Sequence, residues 1–372
     1  MVQGRWAIPL LFFASAAAAD PGHPATAASF STLITTPLAI EGLTNDNAGN
    51  LYTPGRNAGA GVPCPVWRVP LDNPTLTVVG TVPAPSASGQ CSPSGLAFGP
   101  DGMLYVTQSN GAIYRFTPDA GAPPMAELFA SGVPGTNGLA FDWNGNLWTG
   151  DGTTNKGRVW RISPAGVVTQ VFHVQPMAND AGVGRSAVTL PPGTAQGLVA
   201  NGLQFDHAHN LYIADTARGA IWKVHVRQDG TPEAQVGCDT TFAGDTLCLG
   251  HVWLQHPSME GADGIVLDEA GNVWVDANER NAVVFVANGA RQATEVFRNP
   301  VDSATGLRNA GPLEFPTSPV LVGHELCTAN SDGGRRDNAP NTAGEIPSSS
   351  ALGKISCLDQ RVTIPGMRLP VH

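Results

Sequence analysis

The chain reads as an all-β protein, a six-bladed β-propeller with four-stranded antiparallel blades, and three observations predict that fold. A short segment recurs in which a polar residue precedes Gly and then Leu or Ile: Glu41-Gly42-Leu43, Asn137-Gly138-Leu139, Asn201-Gly202-Leu203 and Asp263-Gly264-Ile265. A fifth copy starts at Ser94-Gly95-Leu96 and a degraded sixth at Ser318-Pro319-Val320. Copies spaced by about 40–60 residues point to a propeller before any other repeat fold. Behind each copy come turn residues and further short alternating runs, which hairpins join into a blade. The composition agrees. Gly (44) and Pro (31) are abundant and charged residues make only 13%, against about 25% in an average soluble protein. With 42% apolar residues, the chain can bury a core while spending many positions on turns.

The blades follow in order. The first uses Leu43 onward, Leu51-Tyr52, Trp67-Arg68-Val69 and residues 76–82. The second is the clearest: 95–98 alternates as a strand, Asp101-Gly102 supplies the turn, then come 104–107, 112–116 and an outer run at 127–129. The third uses 138–141, 146–148, 158–162 and 168–174, and the fourth 203–205, 211–214, 220–224 and a strand near Ala234. The fifth uses 265–267, 273–276, 282–286 and 293–297, and the sixth 320–322, 325–328 and 354–358. Residues 30–36 have strand composition but no blade of their own. They are expected to supply the outer strand of the sixth blade, closing the ring without a free edge. The large residues of the second strands (Tyr52, Tyr105, Trp148, Tyr212, Trp274) are read as packing between blades, since each sheet face has to be covered. Loops at 176–197, 237–260 and 332–353 exceed the usual connection length, which marks them as candidates for function.

Before the blades, Arg5, the apolar run 7–19 and Ala17-Ala18-Ala19 read as a secretory signal ending at residue 19. The expected organisation is therefore a signal peptide over 1–19, an N-terminal segment with the closing strand over 20–37, the propeller over 38–358 and a tail over 359–372. No later run is apolar for long enough to span a bilayer, and the destination is secreted or periplasmic. The six cysteines fit disulfides in that compartment. Proximity and repeat layout favour Cys64–Cys91, Cys238–Cys248 and Cys327–Cys357, while zinc would need a closer C-x-x-C spacing. The net charge of −10 and the lack of a basic run beyond Arg335-Arg336 exclude nucleic acid as a partner.

Equivalent positions of repeated units occupy equivalent places around the axis, so Glu41, Ser94, Asn137, Asn201, Asp263 and Ser318 are expected to surround the mouth of the central channel. Two carboxylates and two amides meeting at one point describe a site for a hard divalent cation, calcium above all. Asn-Gly and Asp-Gly are also ordinary turn pairs. Four in register, one of them with the poor turn former Glu, favour the metal. A cation in an open channel polarises a carbonyl, and a ring carboxylate can serve as general base for water. Asp263 is the candidate base; Glu41, Asn137, Asn201 and Asp263 are the candidate metal ligands.

On Glu41-Gly42, Asn137-Gly138, Asn201-Gly202-Leu203, Asp263-Gly264-Ile265 and Pro316-Thr317-Ser318, the chain resembles the gluconolactonase/senescence-marker-protein (regucalcin) family of six-bladed propellers over roughly 38–358. That resemblance implies a metal held by Glu41, Asn201 and Asp263, with Asp263 also the base. It implies Asn137 on the substrate or the metal; Ser94 and Ser318, from the same ring of positions, are the further candidate substrate contacts. The expected function is an exported, calcium-dependent hydrolase of a small lactone or ester. The sequence differs from the family after Glu41, where Gly42-Leu43-Thr44 stands for Gly-Pro-x-Trp, and it offers no counterpart to the family's substrate-orienting arginine. The repeat also resembles NHL-type propellers, which leaves a second expectation, a non-catalytic propeller that binds a partner through its long loops. A third keeps the cation as a structural pin of the ring. His251 and His256 could overhang the channel as proton carriers, whereas His207 and His209 sit in a hairpin remote from it. No G-x-S-x-G elbow supports a serine hydrolase, and 132–138 lacks the strand-then-helix setting of a nucleotide loop.

Overall fold

A computed structural model describes residues 28–108, 110–154, 156–175, 200–233, 238, 244–304, 308, 311–331 and 352–367. The expected signal peptide, the loop at 176–197 and almost all of that at 332–353 lie outside the described residues.

Six antiparallel sheets make up the fold. Blade 1 consists of Thr44–Asn45, Asn50–Pro54, Cys64–Pro70 and Thr77–Val82; blade 2 of Pro93–Phe98, Leu104–Gln108, Ala112–Phe116 and Glu127–Ala130. Blade 3 has Thr136–Phe141, Leu147–Asp151, Arg158–Ile162 and Val168–Val174; blade 5 has Ala262–Leu267, Val273–Ala277, Ala282–Val286 and Thr294–Arg298. The first strand of every blade touches that of the next, and the sixth touches the first, so the ring is closed. Phe30–Thr36 pairs antiparallel with Gly353–Leu358 as the outer strand of blade 6, outside Glu325–Asn330 and Pro316–Val322. Closure thus ties the two ends of the propeller sequence into one sheet.

Blade 4 departs from the plan. After Ala200–Phe205, Asn210–Asp215 and Ala220–Val226, its outer strand is split between Pro232–Glu233 and Val252–Gln255, which pair with opposite ends of the third strand. The excursion between them carries the Cys238–Cys248 bridge, and its Thr246–Leu247 adds a parallel strand to the edge of blade 3. An otherwise exposed sheet edge is covered in this way. Cys64–Cys91 joins blade 1 to the approach to blade 2, and Cys327–Cys357 joins directly facing residues of blade 6. All three pairings are those that proximity favoured.

The core lies between blades, and the five second-strand aromatics belong to it, all at most 5% exposed. Their polar atoms share one solution. Trp148 Nε1 donates to Asp142 (2.9 Å), Tyr105 Oη to Asp101 (2.9 Å), Tyr52 Oη to Asp46 (3.1 Å) and Tyr212 Oη to Asp206 (3.2 Å), with Trp274 and Asp268 in the same relation. Each Asp sits in the first hairpin and uses its other oxygen on backbone N–H groups of the turn. The Asn of the repeat (Asn50, Asn146, Asn210, Asn272) donates to the same carboxylate. The repeated Asp-x-x-x-Asn-x-aromatic spacing is therefore a turn bracket that lets a buried aromatic keep its hydrogen bond. Burial and then the Asp46 charge push the Tyr52 hydroxyl up to about 12. On the same end of the molecule His209 is half-buried and stacks on Trp143 of the neighbouring blade (3.5 Å between centroids), so it is a clasp between hairpins rather than a free surface residue.

Cys327–Cys357 staples the blade that closes the ring and encloses a separation of 30 residues. Replacing both cysteines by Ser is expected to cost about 3–4 kcal/mol. A shift of the urea midpoint at unchanged slope would register it.

Candidate functional site at the channel mouth

The first strands share one irregularity. In blade 3, Thr136 faces Asp151 and Leu139 faces Thr149, so Asn137 and Gly138 together oppose a single residue. The same one-residue bulge falls at Asn201-Gly202, Asp263-Gly264 and Ser94-Gly95, and Ile40 opposite Gly55 with Thr44 opposite Tyr52 puts it at Glu41-Gly42. A bulge re-aims the side chain that carries it. The glycine has its own reason. A Cβ on Gly42 would lie 2.0 Å from the Ser94 carbonyl oxygen, and one on Gly202 2.7 Å from that of Asp263. Each glycine lets its strand approach the ring residue of the next blade, and these contacts step around the axis from 42 to 94, 95 to 137, 138 to 201, 202 to 263 and 264 to 317.

The sixth position needs a correction of one residue. Pro316 faces Asn330 and Ser318 faces Ala329, which places Thr317 at the ring position and Ser318 where the other blades carry glycine. Ser318 accordingly lines the channel next to Gly264 and Gly202. Thr317 donates its hydroxyl to the Glu41 carbonyl (2.7 Å), closing the circle of contacts. The hairpin of this blade is one residue shorter, and that moved the apparent motif.

Two of the four candidate ligands meet directly. Asn137 Nδ2 donates to Glu41 Oε1 (3.3 Å), an approach across the mouth from blade 3 to blade 1 that passes over blade 2. Asn201 and Asp263 occupy the same rim on adjacent blades. Asn137, Asn201 and Asp263 are 6%, 6% and 4% exposed, so these polar groups are held away from bulk water. Beneath the rim the channel encloses only about 80 Å³, whereas small-molecule pockets run to about 300–1,000 Å³. A substrate has to sit at the mouth, above the channel.

A second layer supports the ring, and the sequence reading missed it. Asn278 Nδ2 donates to Asp263 Oδ2 (2.8 Å), and Asn201 Nδ2 donates to Thr216 Oγ1 (3.2 Å). Gly152 leaves room for Asn137, since a Cβ there would lie 2.5 Å from its Nδ2. Arg56 Nη1 forms an ion pair with Glu41 Oε2. Each of these residues comes fifteen positions after its ring partner, just past the second strand that pairs with the bulged one. That spacing was the available signal. His256 is occupied otherwise: its Nδ1 bonds Ser258 (2.8 Å) and caps a 3-10 turn.

The donors fit a hard cation in type, being two carboxylates and two amides. Thr216 holds the Asn201 amide nitrogen, which turns its oxygen the other way, and Asn278 fixes one oxygen of Asp263. Among the described residues no cluster of three or more His, Cys, Asp or Glu forms a metal site of side chains of those types alone.

Residues 189–312 match the family model described as SMP-30/Gluconolactonase/LRE-like region, a span that contains Asn201 and Asp263. Solved structures share the architecture. A calcium-binding protein, regucalcin, from Agrobacterium tumefaciens is 17% identical, with 92% of this chain and 97% of that one aligned at a TM-score of 0.57. A luciferin-regenerating enzyme is 14% identical, with 91% and 97% covered at 0.57. The PQQ-bound aldose sugar dehydrogenase of Streptomyces coelicolor is 17% identical, with 90% and 99% covered at 0.56. No curated protein sequence matches this chain. The three structures differ in what they bind or do, so the likeness establishes the six-bladed propeller, and the chemistry has to be argued from the mouth.

Proposed function

We propose, from the premise of an SMP-30/gluconolactonase-like propeller, that the chain is an exported, divalent-cation-dependent hydrolase of small lactones or esters, with calcium the favoured cation. The observation that carries this reading is the set of equivalent bulges that bring Glu41, Asn137, Asn201 and Asp263 to one rim, with Glu41 and Asn137 in contact across it. The three disulfides support an oxidising compartment. Among the described residues no helix is long and apolar enough to cross a membrane.

Glu41, Asn137, Asn201 and Asp263 would hold the cation, which when bound supplies Lewis-acid polarisation of the carbonyl. Asp263 takes the proton of the attacking water on the oxygen that Asn278 does not hold, and returns it to the leaving alkoxide. Asn278 keeps the carboxylate in one rotamer, so no reorganisation is needed when the water arrives. Ser94 on the rim would offer its hydroxyl to the substrate ring, with Ser318 just below it on the channel wall.

The test is hydrolysis of a panel of five- and six-membered lactones and aryl esters, with and without chelator. Turnover should fall at least tenfold on chelation and return with calcium. Chelator-insensitive hydrolysis would refute the mechanism. A second reading, in which the propeller only binds a partner, draws on the long loops at 176–197, 237–260 and 332–353 of the sequence. It predicts partner capture unaffected by the change of Asp263 and no turnover at all. Calcium that raises the thermal midpoint without any hydrolysis would instead assign it a structural role.

A further inference from the structure

We infer that Arg56 is the resident counter-cation of the channel mouth, and that a divalent cation using Glu41 has to displace it, so that the Arg56–Glu41 pair sets the cation affinity of the site. The inference rests on the proposed cation site and adds a residue that works against it.

Blade 1 breaks the pattern of the supporting layer. At the position fifteen residues past the ring, blades 3, 4 and 5 carry the uncharged Gly152, Thr216 and Asn278, whereas blade 1 carries Arg56. The arginine is fixed at both ends. Its backbone N–H donates to Ala39 O (2.8 Å), next to the Ile40–Gly55 bridge. At the other end Nη1 lies on Glu41 Oε2, while Nη2 and Nε donate to Ser92 Oγ (2.7 and 3.3 Å). A guanidinium held through three of its nitrogens loses little freedom on pairing. The two side chains are only 19% and 15% exposed, so water and salt screen the pair less than they would a surface bridge.

Both oxygens of Glu41 are then engaged, Oε2 by Arg56 and Oε1 by Asn137. A divalent ion entering on Glu41 meets a fixed positive charge at contact distance from its own ligand, in a setting of low screening. Two cations on one carboxylate repel, and the arginine is the partner that can yield, since Nη1 can leave Glu41 while Nη2 and Nε keep Ser92. By linkage, anything that strengthens the ion pair weakens the cation to the same extent.

Calorimetric titration with calcium chloride of wild type, Arg56→Gln, Arg56→Lys and Glu41→Gln tests this. Arg56→Gln should bind calcium at least tenfold more tightly than wild type, Arg56→Lys should stay near wild type because the charge remains, and Glu41→Gln should lose binding. Calcium binding by Arg56→Gln alone would also support the inference, wild type then being held in the paired state. Equal affinity in wild type and Arg56→Gln overturns the inference and leaves the cation site standing. Absence of binding in every variant overturns both. Should Arg56→Gln fold poorly, wild type answers on its own: phenylglyoxal labelling of Arg56, read by mass spectrometry, should rise several-fold on calcium saturation. Labelling unchanged while calcium binds would refute displacement.

Discussion

Asp263→Asn is expected to lower lactone turnover by about 10²–10⁴-fold while leaving the propeller intact. The substitution keeps size and shape, and the new amide oxygen can still accept from Asn278 Nδ2, so the 2.8 Å contact that orients the side chain survives. What disappears is the basic oxygen and one of the two carboxylate charges of the rim. The first loss acts on kcat; the second weakens the cation, since affinity follows ligand charge. The two separate at saturating calcium, where the KM for substrate should change less than tenfold and the deficit in kcat should persist. Asn278→Ala leaves the charge and removes the orientation. Its kcat should fall by about tenfold with calcium affinity nearly unchanged, a split that a purely structural Asn278 would not produce. Steady-state kinetics with calcium held well above its dissociation constant decide the matter. Full activity in Asp263→Asn would remove the general base and with it the hydrolytic mechanism.

The fold was readable because each blade has to solve the same packing problem. A hairpin that buries Tyr or Trp between sheets needs a carboxylate to take its O–H or N–H and an Asn to hold that carboxylate, and this repeats at Asp46, Asp142, Asp206 and Asp268. The glycine repeats for a different reason, the close approach of neighbouring strands near the axis. Against that uniform background the residue before the glycine varies (Glu, Ser, Asn, Asn, Asp), which is what a ring of non-identical ligands requires. The closing strand was legible from a strand-like run with no blade to join, and the disulfides from their short separations.

What stayed hidden depends on register. A partner across a hairpin is set by the number of residues in the turn and by the bulge, and neither is visible in an apolar–polar pattern. Blade 6 shows the effect, where a turn shortened by one residue moves the ring position from Ser318 to Thr317. Arg56 was hidden for the same reason. It reads as one more loop arginine until Gly55 is seen to face Ile40, which brings the guanidinium onto Glu41. The split outer strand of blade 4 was beyond reach too, because Thr246–Leu247 pairs with blade 3 rather than with its own sheet.

Asp276 gives the second large effect, on stability rather than activity. It lies on the second strand of blade 5, is fully buried, and pairs with the Thr328 hydroxyl of blade 6, while its Oδ1 meets no hydrogen-bond donor among the described residues. Thr328 Oγ1 also lies 3.1 Å from the Ala329 carbonyl oxygen. A neutral carboxyl suits that chain of atoms: its proton goes to Thr328 Oγ1, whose own proton goes to Ala329 O. Burial accordingly raises the Asp276 carboxyl well above its usual range, with the Thr328 contact only partly offsetting it. The sign follows. With the folded-state pKa above the unfolded value of about 3.9, the group's contribution is complete below pH 4. It is lost as pH rises toward the folded value, because the unfolded chain releases a proton that the folded one keeps. Asn at 276 imitates the protonated form at every pH, its amide donating to Thr328. The thermal midpoints of wild type and Asp276→Asn should therefore coincide near pH 4 and diverge as pH rises, the variant ending more stable by several kcal/mol at pH 8, the scale of holding a charge, or its proton, in an apolar interior. Taking the difference between the two proteins cancels the general repulsion of a chain with net charge −10. Parallel curves from pH 4 to pH 8 would mean that Asp276 is charged in the fold, and that some donor other than Thr328 reaches it between blades 5 and 6.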